Sequence, residues 1–279
     1  MVQDDVFQGK YTHKTLNFQY LNRHISGLFM IELTISRKTL KTFEKIINAY
    51  EEITVIPEKD NWKRLSNNEL WMTNIGQVMV VGGSISKIRF DKSKELRQLI
   101  HFESLRKITI EDKLLKTINY VLRKAKVRYA SAVASKSAKS RALLHNYLFL
   151  ASYKGGFKAI MQMLDSNSGE NHELQRVRYL MENMKFMKSK SARDFLMGLG
   201  MNTNTIAIDI RIQNVFLHAG VSFPSASKLS NPKVYDDLEQ QIIEKICKPL
   251  SIRPLVFDRI LYQNYNKILR YDYLMPKLF

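Results

Sequence analysis

The stretch Met187-Lys-Ser-Lys190-Ser-Ala-Arg-Asp-Phe-Leu-Met-Gly-Leu-Gly200-Met-Asn-Thr-Asn-Thr-Ile-Ala-Ile-Asp209-Ile-Arg-Ile-Gln-Asn-Val-Phe216 decides how this chain is read. Ala192, Phe195, Leu196 and Leu199 recur at three- and four-residue spacing, which predicts an amphipathic helix over Ser189 to Leu199. Gly200 falls where a left-handed residue commonly ends a helix. Ile206-Ala-Ile208 is apolar enough for burial, and Asp209 precedes a second periodic run of Ile210, Ile212, Val215, Phe216 and Leu217. A short acid there is a good N-cap, because its carboxylate can accept the unpaired N–H groups of the first turn. The passage therefore reads as two short helices joined by a glycine-ended turn and a buried run. Taken singly, Lys190 is one lysine of a solvated face and Asp209 a cap.

The same apolar spacing extends outward in both directions, so the fold class is mainly α. Ser36 can cap a helix carrying Leu40, Phe43, Ile46, Ile47 and Tyr50, and Pro57 with Glu58 to Asn61 breaks the chain. Ser66-Asn-Asn-Glu69 is a capping-box pattern opening a helix with Leu70, Trp71, Ile75, Val78 and Met79, ending near Gly82-Gly83. Thr109-Ile-Glu-Asp112 opens another. Tyr129 to Ser140 reads as a loop or frayed helix end, and Leu143 to Tyr153 as a helix stopped by Gly155-Gly156. Helices are predicted over Phe157 to Leu164, over Glu173 to Lys185, from Asn231-Pro232 to Leu250, and from Pro254, the last, through Tyr265. Strands are expected only near Thr12 to Gln19 and Phe29 to Ile35.

Composition narrows the function classes. Hydrophobic residues make up 45% of the 279, enough for one large core or two smaller lobes and too many for a disordered chain. No apolar run approaches a membrane span, and Asp4 and Asp5 stand where a signal peptide would need an apolar segment, so the expected location is intracellular. The single cysteine, Cys247, excludes an internal disulfide and a four-cysteine zinc or iron–sulfur site. Lys and Arg outnumber Asp and Glu by 44 to 26, a net charge of +18. From Lys113 to Leu164 there is no acid at all, whereas an ordinary solvated face mixes signs. A polyanion is the expected partner, with nucleic acid ahead of a membrane surface.

Lys190-Ser-Ala-Arg-Asp-Phe-Leu-Met-Gly-Leu-Gly200, an apolar run and then Asp209 resemble the signature of the helix-hairpin-helix DNA glycosylases, most closely the type-2 8-oxoguanine glycosylase/lyases. The motif covers about thirty residues. The helices from Ser66 to Phe279, including Val256-Phe-Asp-Arg-Ile-Leu-Tyr262 as a closing helix, agree with that superfamily in number and order. The sequence departs from the pattern where Phe186 and Lys188 replace two hairpin glycines, and where Arg211 stands in place of a frequent histidine. A second register, with Gly198-Leu-Gly200 as the hairpin, leaves Asn202 where lysine is expected.

The resemblance implies two helical lobes flanking a DNA-binding cleft, with residues 66–279 as the glycosylase-like region. Residues 1–65 would be either a separate lobe or packed with the C-terminal helices. It implies excision of an oxidised purine, 8-oxoguanine first, from double-stranded DNA. The ε-amine of Lys190 would attack the sugar, Asp209 would stabilise the developing positive charge, and β-elimination would follow without metal or other cofactor. Lys188, Ser189 and Arg211, with Lys136, Lys139 and Arg141, would contact phosphates. Trp71, Phe216 and Tyr262 would line the base pocket, although a helical core also claims such residues. A monomer is expected. Two other readings use the same residues: a non-catalytic nucleic-acid-binding helical protein, and the same chemistry on a different damaged base. His145, in an otherwise apolar helix, is expected to serve a core hydrogen bond.

Overall fold

The computed structural model describes residues 32–80, 85–166 and 171–270, and among them every regular element is helical. The expected strand at Thr12 to Gln19 lies outside the described residues, as does the start of the one at Phe29. Residues 32–36 are extended but pair with nothing as a strand. The chain divides into two compact units, one of residues 62–166 and 179–187, the other of residues 32–61, 171–178 and 188–270. No described helix is long and apolar enough to cross a membrane.

Helix α1 (Arg37–Tyr50) belongs to the second unit. Ser36 caps it by accepting the Thr39 N–H at 3.0 Å. Its apolar stripe of Phe43, Ile46, Ile47 and Tyr50 faces that unit's core.

A one-turn 3₁₀ segment, Asn61–Arg64, leads into the first unit and its helix α2 (Asn67–Val80). The predicted capping box is formed: Ser66 Oγ accepts the Glu69 N–H and Glu69 Oε2 accepts the Ser66 N–H. Three short helices follow, α3 (Ile85–Lys92), α4 (Lys94–Leu99) and α5 (Phe102–Arg106). With five to eight residues each, they hold too few apolar repeats on one face to stand out in the sequence. Then come α6 (Glu111–Lys124), α7 (Ala138–Ala151) and α8 (Phe157–Ser166). Ser137 caps α7, and the stretch from Tyr129 to that residue is a loop apart from a one-turn 3₁₀ segment, Ala134–Lys136. Gly155 and Gly156 both have positive φ, the conformation needed to turn from α7 into α8.

Helix α9 (His172–Asn183) starts in the second unit and ends in the first. The second unit continues with α10 (Ser189–Gly198), α11 (Ile210–His218) and α12 (Pro232–Ile242). A π-helical stretch, Ile243–Cys247, prolongs α12. Helix α13 (Pro254–Gln263) is followed by α14 (Tyr265–Arg270), so the run predicted as one last helix is two. Phe43, Phe216 and Phe257 form the centre of this unit, with ring centroids 4.8–6.3 Å apart. Gly200 has φ +71, and a Cβ there would lie 2.0 Å from the Glu58 carbonyl oxygen. Only glycine permits that turn, because the Glu58–Asp60 backbone crosses directly over it.

Candidate active site

Asp209 is reached through an extended run, residues 202–208, whose backbone is held almost entirely by acids. Glu173 accepts the N–H groups of Thr203 and Asn204, at 2.9 and 2.8 Å. Glu239 accepts the Ile206 N–H at 2.6 Å, and Asp258 accepts the Ala207 N–H at 2.8 Å. The Tyr235 hydroxyl reaches the Ile206 and Ile208 carbonyls. Among the described residues no strand pairs with this run, so side chains, together with the Leu255 N–H at the Thr203 carbonyl, satisfy its polar groups. Glu239 is itself neutralised by Arg193, which is fully buried, donates to both carboxylate oxygens and stacks over the Tyr235 ring at 4.5 Å.

At the end of this run Asp209 caps α11. Its Oδ1 accepts the N–H groups of Arg211 at 2.9 Å and Ile212 at 3.2 Å. Its Oδ2 takes part in none of the hydrogen bonds among the described residues. The carboxylate is half-buried and fixed through one oxygen.

Lys190 lies on the first turn of α10, with about a third of its side chain exposed, 34%. Its Nζ donates to Asp194 Oδ2 at 3.1 Å, one turn along the same helix. Asp194 Oδ1 accepts from Arg259 Nη1 at 2.9 Å, and that nitrogen stands 3.6 Å from Asp258 Oδ2. Charges thus run from Lys190 through Asp194, Arg259 and Asp258 to the Ala207 N–H, two residues before Asp209. Within one unit these groups link Lys190 to the backbone that leads into Asp209. Asp258 is 1% exposed, and its Oδ2 has no hydrogen-bond partner. Burial pushes its carboxyl up to about 7, outweighing the neighbouring Arg259 guanidinium.

Other expected contacts are distributed as follows. Lys188 is exposed at the cap position of α10, its N–H donating to Ser191 Oγ at 2.8 Å. Ser189, expected at a phosphate, is instead buried at the start of α10, and its carbonyl accepts from Arg193. The Arg211 guanidinium lies over the Tyr262 ring at 4.3 Å, and Tyr262 is 36% exposed. Lys136 and Arg141 are exposed in the first unit, with Lys113, Lys116, Arg123, Lys124, Lys126, Arg128 and Lys154. Lys139 is a correction: expected at a phosphate, it is fully buried, its Nζ directed to the Met79 carbonyl. Burial, and then Arg128, bring its ammonium down to about 8. The spacing explains this, since Lys139 shares the inward face of α7 with Ala142, Leu143 and Asn146. Trp71 and Phe216 likewise occupy the core and meet no solvent. Trp71 packs on Phe102 and Tyr147 and donates its indole N–H to the Ile100 carbonyl.

The turn between α9 and α10 contains Phe186 at φ +61, a left-handed conformation that costs a non-glycine residue about 1–3 kcal/mol. It is one of the two positions where the resemblance implies glycine. Among the described residues no three of His, Cys, Asp and Glu are grouped to hold a metal ion.

The all-helical fold of this chain is similar to that of solved 8-oxoguanine DNA glycosylases. One similar solved structure is the 8-oxoguanine DNA glycosylase of Methanocaldococcus jannaschii, with TM-score 0.56 and 18% identity over 83% of this chain and 92% of that one. A second, from the same organism, is the 8-oxoguanine glycosylase/lyase in complex with a 15mer DNA containing 8-oxoguanine (TM-score 0.56, 17% identity, 82% and 98% covered). The 8-oxoguanine DNA glycosylase of Thermotoga maritima is similar at TM-score 0.52 and 19% identity, with 80% and 93% covered. At such identities the likeness is one of fold. No protein-family model and no curated protein matches the sequence.

Proposed function

We propose that this protein is a base-excision DNA glycosylase with AP-lyase activity, acting as a monomer on double-stranded DNA that carries an oxidised purine, 8-oxoguanine first. The observation that carries the reading is the placement of Lys190 and Asp209 in one unit, on consecutive helices of a glycosylase fold. The similar proteins of known structure are named for that activity, and one was crystallised with DNA containing 8-oxoguanine.

In this mechanism the Lys190 ammonium gives up a proton to a carboxylate, and the free amine attacks C1′ of the extruded nucleotide. The C1′–N bond breaks, and its electron pair leaves with the base. The Asp209 carboxylate stabilises the positive charge on the sugar as that bond lengthens. Loss of the ring oxygen from C1′ then gives a Schiff base between Lys190 and the opened sugar. That iminium acidifies C2′, and removal of its proton expels the 3′ phosphate. Asp194 holds the amine at rest, and Arg259 shares the charge of Asp194, so the amine can be released toward the sugar without stranding a bare carboxylate. Lys188 and Arg211 meet the phosphates around the extruded nucleotide, with the buried Ser189 behind them, and Tyr262, with Arg211 on its face, is an exposed aromatic side chain of this unit open to a base. The exposed lysines and arginines of the first unit supply sequence-independent attraction to the backbone.

The Lys190–Asp194 ion pair also fits a rival reading, in which Lys190 is a surface residue of a non-catalytic nucleic-acid-binding protein. Borohydride trapping separates the two. Duplexes carrying 8-oxoguanine opposite cytosine, or an abasic site, are incubated with the protein and with Lys190→Gln. The expected result is a covalent protein–DNA adduct that the variant cannot form while it still binds DNA. No adduct on either duplex would leave the rival reading. An adduct at the abasic site alone would keep the lyase and move the search to other damaged bases.

A further inference from the structure

The loop between α6 and α7 holds a tyrosine where its backbone favours glycine. Helix α6 stops at Lys126, whose φ is +55, with the Lys126 N–H on the Arg123 carbonyl and the Val127 N–H on the Leu122 carbonyl. A left-handed residue there is an ordinary helix stop. The next bend has no such explanation. The Ala130 N–H meets the Val127 carbonyl at 3.1 Å and closes a turn whose third residue, Tyr129, has φ +69. That place suits glycine, and another residue is strained there by about 1–3 kcal/mol. Burial does not offset the strain, since Tyr129 is 64% exposed.

The surroundings of this ring are cationic. The Arg128 guanidinium lies over it at 5.0 Å. A second exposed ring, Tyr120 on α6, carries the Lys124 ammonium over it at 5.5 Å. The loop is tied back to α6 beside Tyr120, where Asn119 Nδ2 donates to the Ser131 carbonyl at 3.2 Å. The exposed Val133 and Lys136 continue the same surface. Among the described ion pairs none engages Lys124, Arg128 or Lys136, and the Lys116–Asp112 pair of α6 lies toward that helix's other end.

Cations alone would suit any polyanion, the phosphates of a duplex included. Exposed rings add a demand that a duplex does not meet, because its bases hide their faces in the stack, whereas unpaired bases offer theirs. An anionic lipid surface would call for larger apolar side chains than Val133. Each tyrosine–cation pair joins a platform for a base to a charge for the adjoining phosphate. We infer that Tyr120 and Tyr129, with Lys124, Arg128 and Lys136, form a second nucleic-acid site, one that takes a single strand rather than a duplex. This site goes beyond the Lys190 chemistry and does not depend on it. Within the first unit it is also set apart from the turn that leads into α10. His145 Nε2 meets the Asn183 carbonyl and Asn146 Oδ1 accepts the Lys185 N–H, so that turn is tied about 12 Å along α7 from Ser137, at 1.5 Å per residue.

The test is fluorescence anisotropy with labelled oligo(dT), oligo(rU) and a fully paired duplex of equal length. The proteins compared are the unaltered chain, Tyr120→Ala, Tyr129→Gly, Tyr129→Phe and the double variant carrying both truncations. Both rings are exposed and glycine suits the Tyr129 backbone, so melting temperatures should stay level. Each truncation should weaken single-strand binding about tenfold, and the double variant more. Tyr129→Phe should stay within about twofold, because stacking uses the ring and not the hydroxyl. Duplex affinity, and borohydride trapping on an abasic duplex, should be unchanged in all the tyrosine variants. A loss confined to oligo(dT) or to oligo(rU) supports the site and names the sugar it takes. Unaltered affinity of the double variant for both single strands overturns the proposal, as does an equal loss on the duplex or a loss that Tyr129→Phe shares. Binding to phosphatidylserine vesicles that the truncations abolish, with no single-strand binding, overturns it in favour of a membrane surface. Absence of a trapped adduct with the unaltered protein defeats the glycosylase reading alone and leaves this site standing.

Discussion

Replacing Asp258 by asparagine should change the way stability depends on pH. The carboxyl has an ordinary value of 3.8 and is pushed up to about 7, chiefly by burial. The folded protein therefore holds this proton more tightly than the unfolded chain does. Below pH 4 both states are protonated and the group contributes no difference. As pH rises from 4 to 7 the unfolded chain releases the proton and the folded one resists, so stability is lost across that window. At about 1.36 kcal/mol per pH unit the full effect is about 4 kcal/mol, complete above pH 7. Asparagine keeps an oxygen for the Ala207 N–H but has nothing to ionise. Its new N–H groups cost about 1–3 kcal/mol if left unpaired, by the same amount at every pH. Urea unfolding of both proteins at pH 4.5, 6 and 8 would show this, because all other titrations cancel in the difference. The variant should gain on the unaltered protein by several kcal/mol between pH 4.5 and 8. Parallel stability curves would refute the claim that a buried, underpaired carboxylate stands beside Arg259.

Other substitutions test the placement of charges and turns. Lys136→Ala or Arg141→Ala should each lower the slope of log affinity against log salt by about one, measured on duplex DNA, while Lys139→Met should leave it unchanged. Arg193→Met strands Glu239 in the core and should cost about 3–5 kcal/mol in urea unfolding; a loss under 1 kcal/mol would mean that the acid-held run before Asp209 does not need it. Gly200→Ala should destabilise by about 3 kcal/mol or more, since it combines a left-handed alanine with a clash against the Glu58 backbone. A melting temperature within a degree of the unaltered protein would show that the Glu58–Asp60 segment does not lie over that glycine.

Local chemistry made much of this molecule readable from sequence. Ser36, Asn231 and Asp209 cap helices because a short polar side chain can reach the second or third N–H of the turn, which depends on the chain alone. Apolar spacing announces the long helices for the same reason, and the i, i+4 relation of Lys190 to Asp194 is present in the sequence. Helices α3, α4 and α5 gave too short a period to announce themselves. Whether a lysine is a surface residue or a core residue depends on what packs over its helix face. Composition put Lys139 with its exposed neighbours, and the packing of α7 took it inside. The same holds for Trp71 and Phe216, whose rings suit a pocket or a core equally well until their neighbours are known.

The sequence by itself determined where Lys190 and Asp209 stand along the chain and that each begins a helix. Only the tertiary structure decided what surrounds them. Arg259 and Asp258 lie on α13, about fifty residues beyond Asp209, and Glu239 and Glu173 come from two further helices. These groups meet because the extended run before Asp209 must satisfy its backbone polar groups away from water, and no strand is there to do it. A requirement of that kind has no sequence spacing and exists only once the chain has folded.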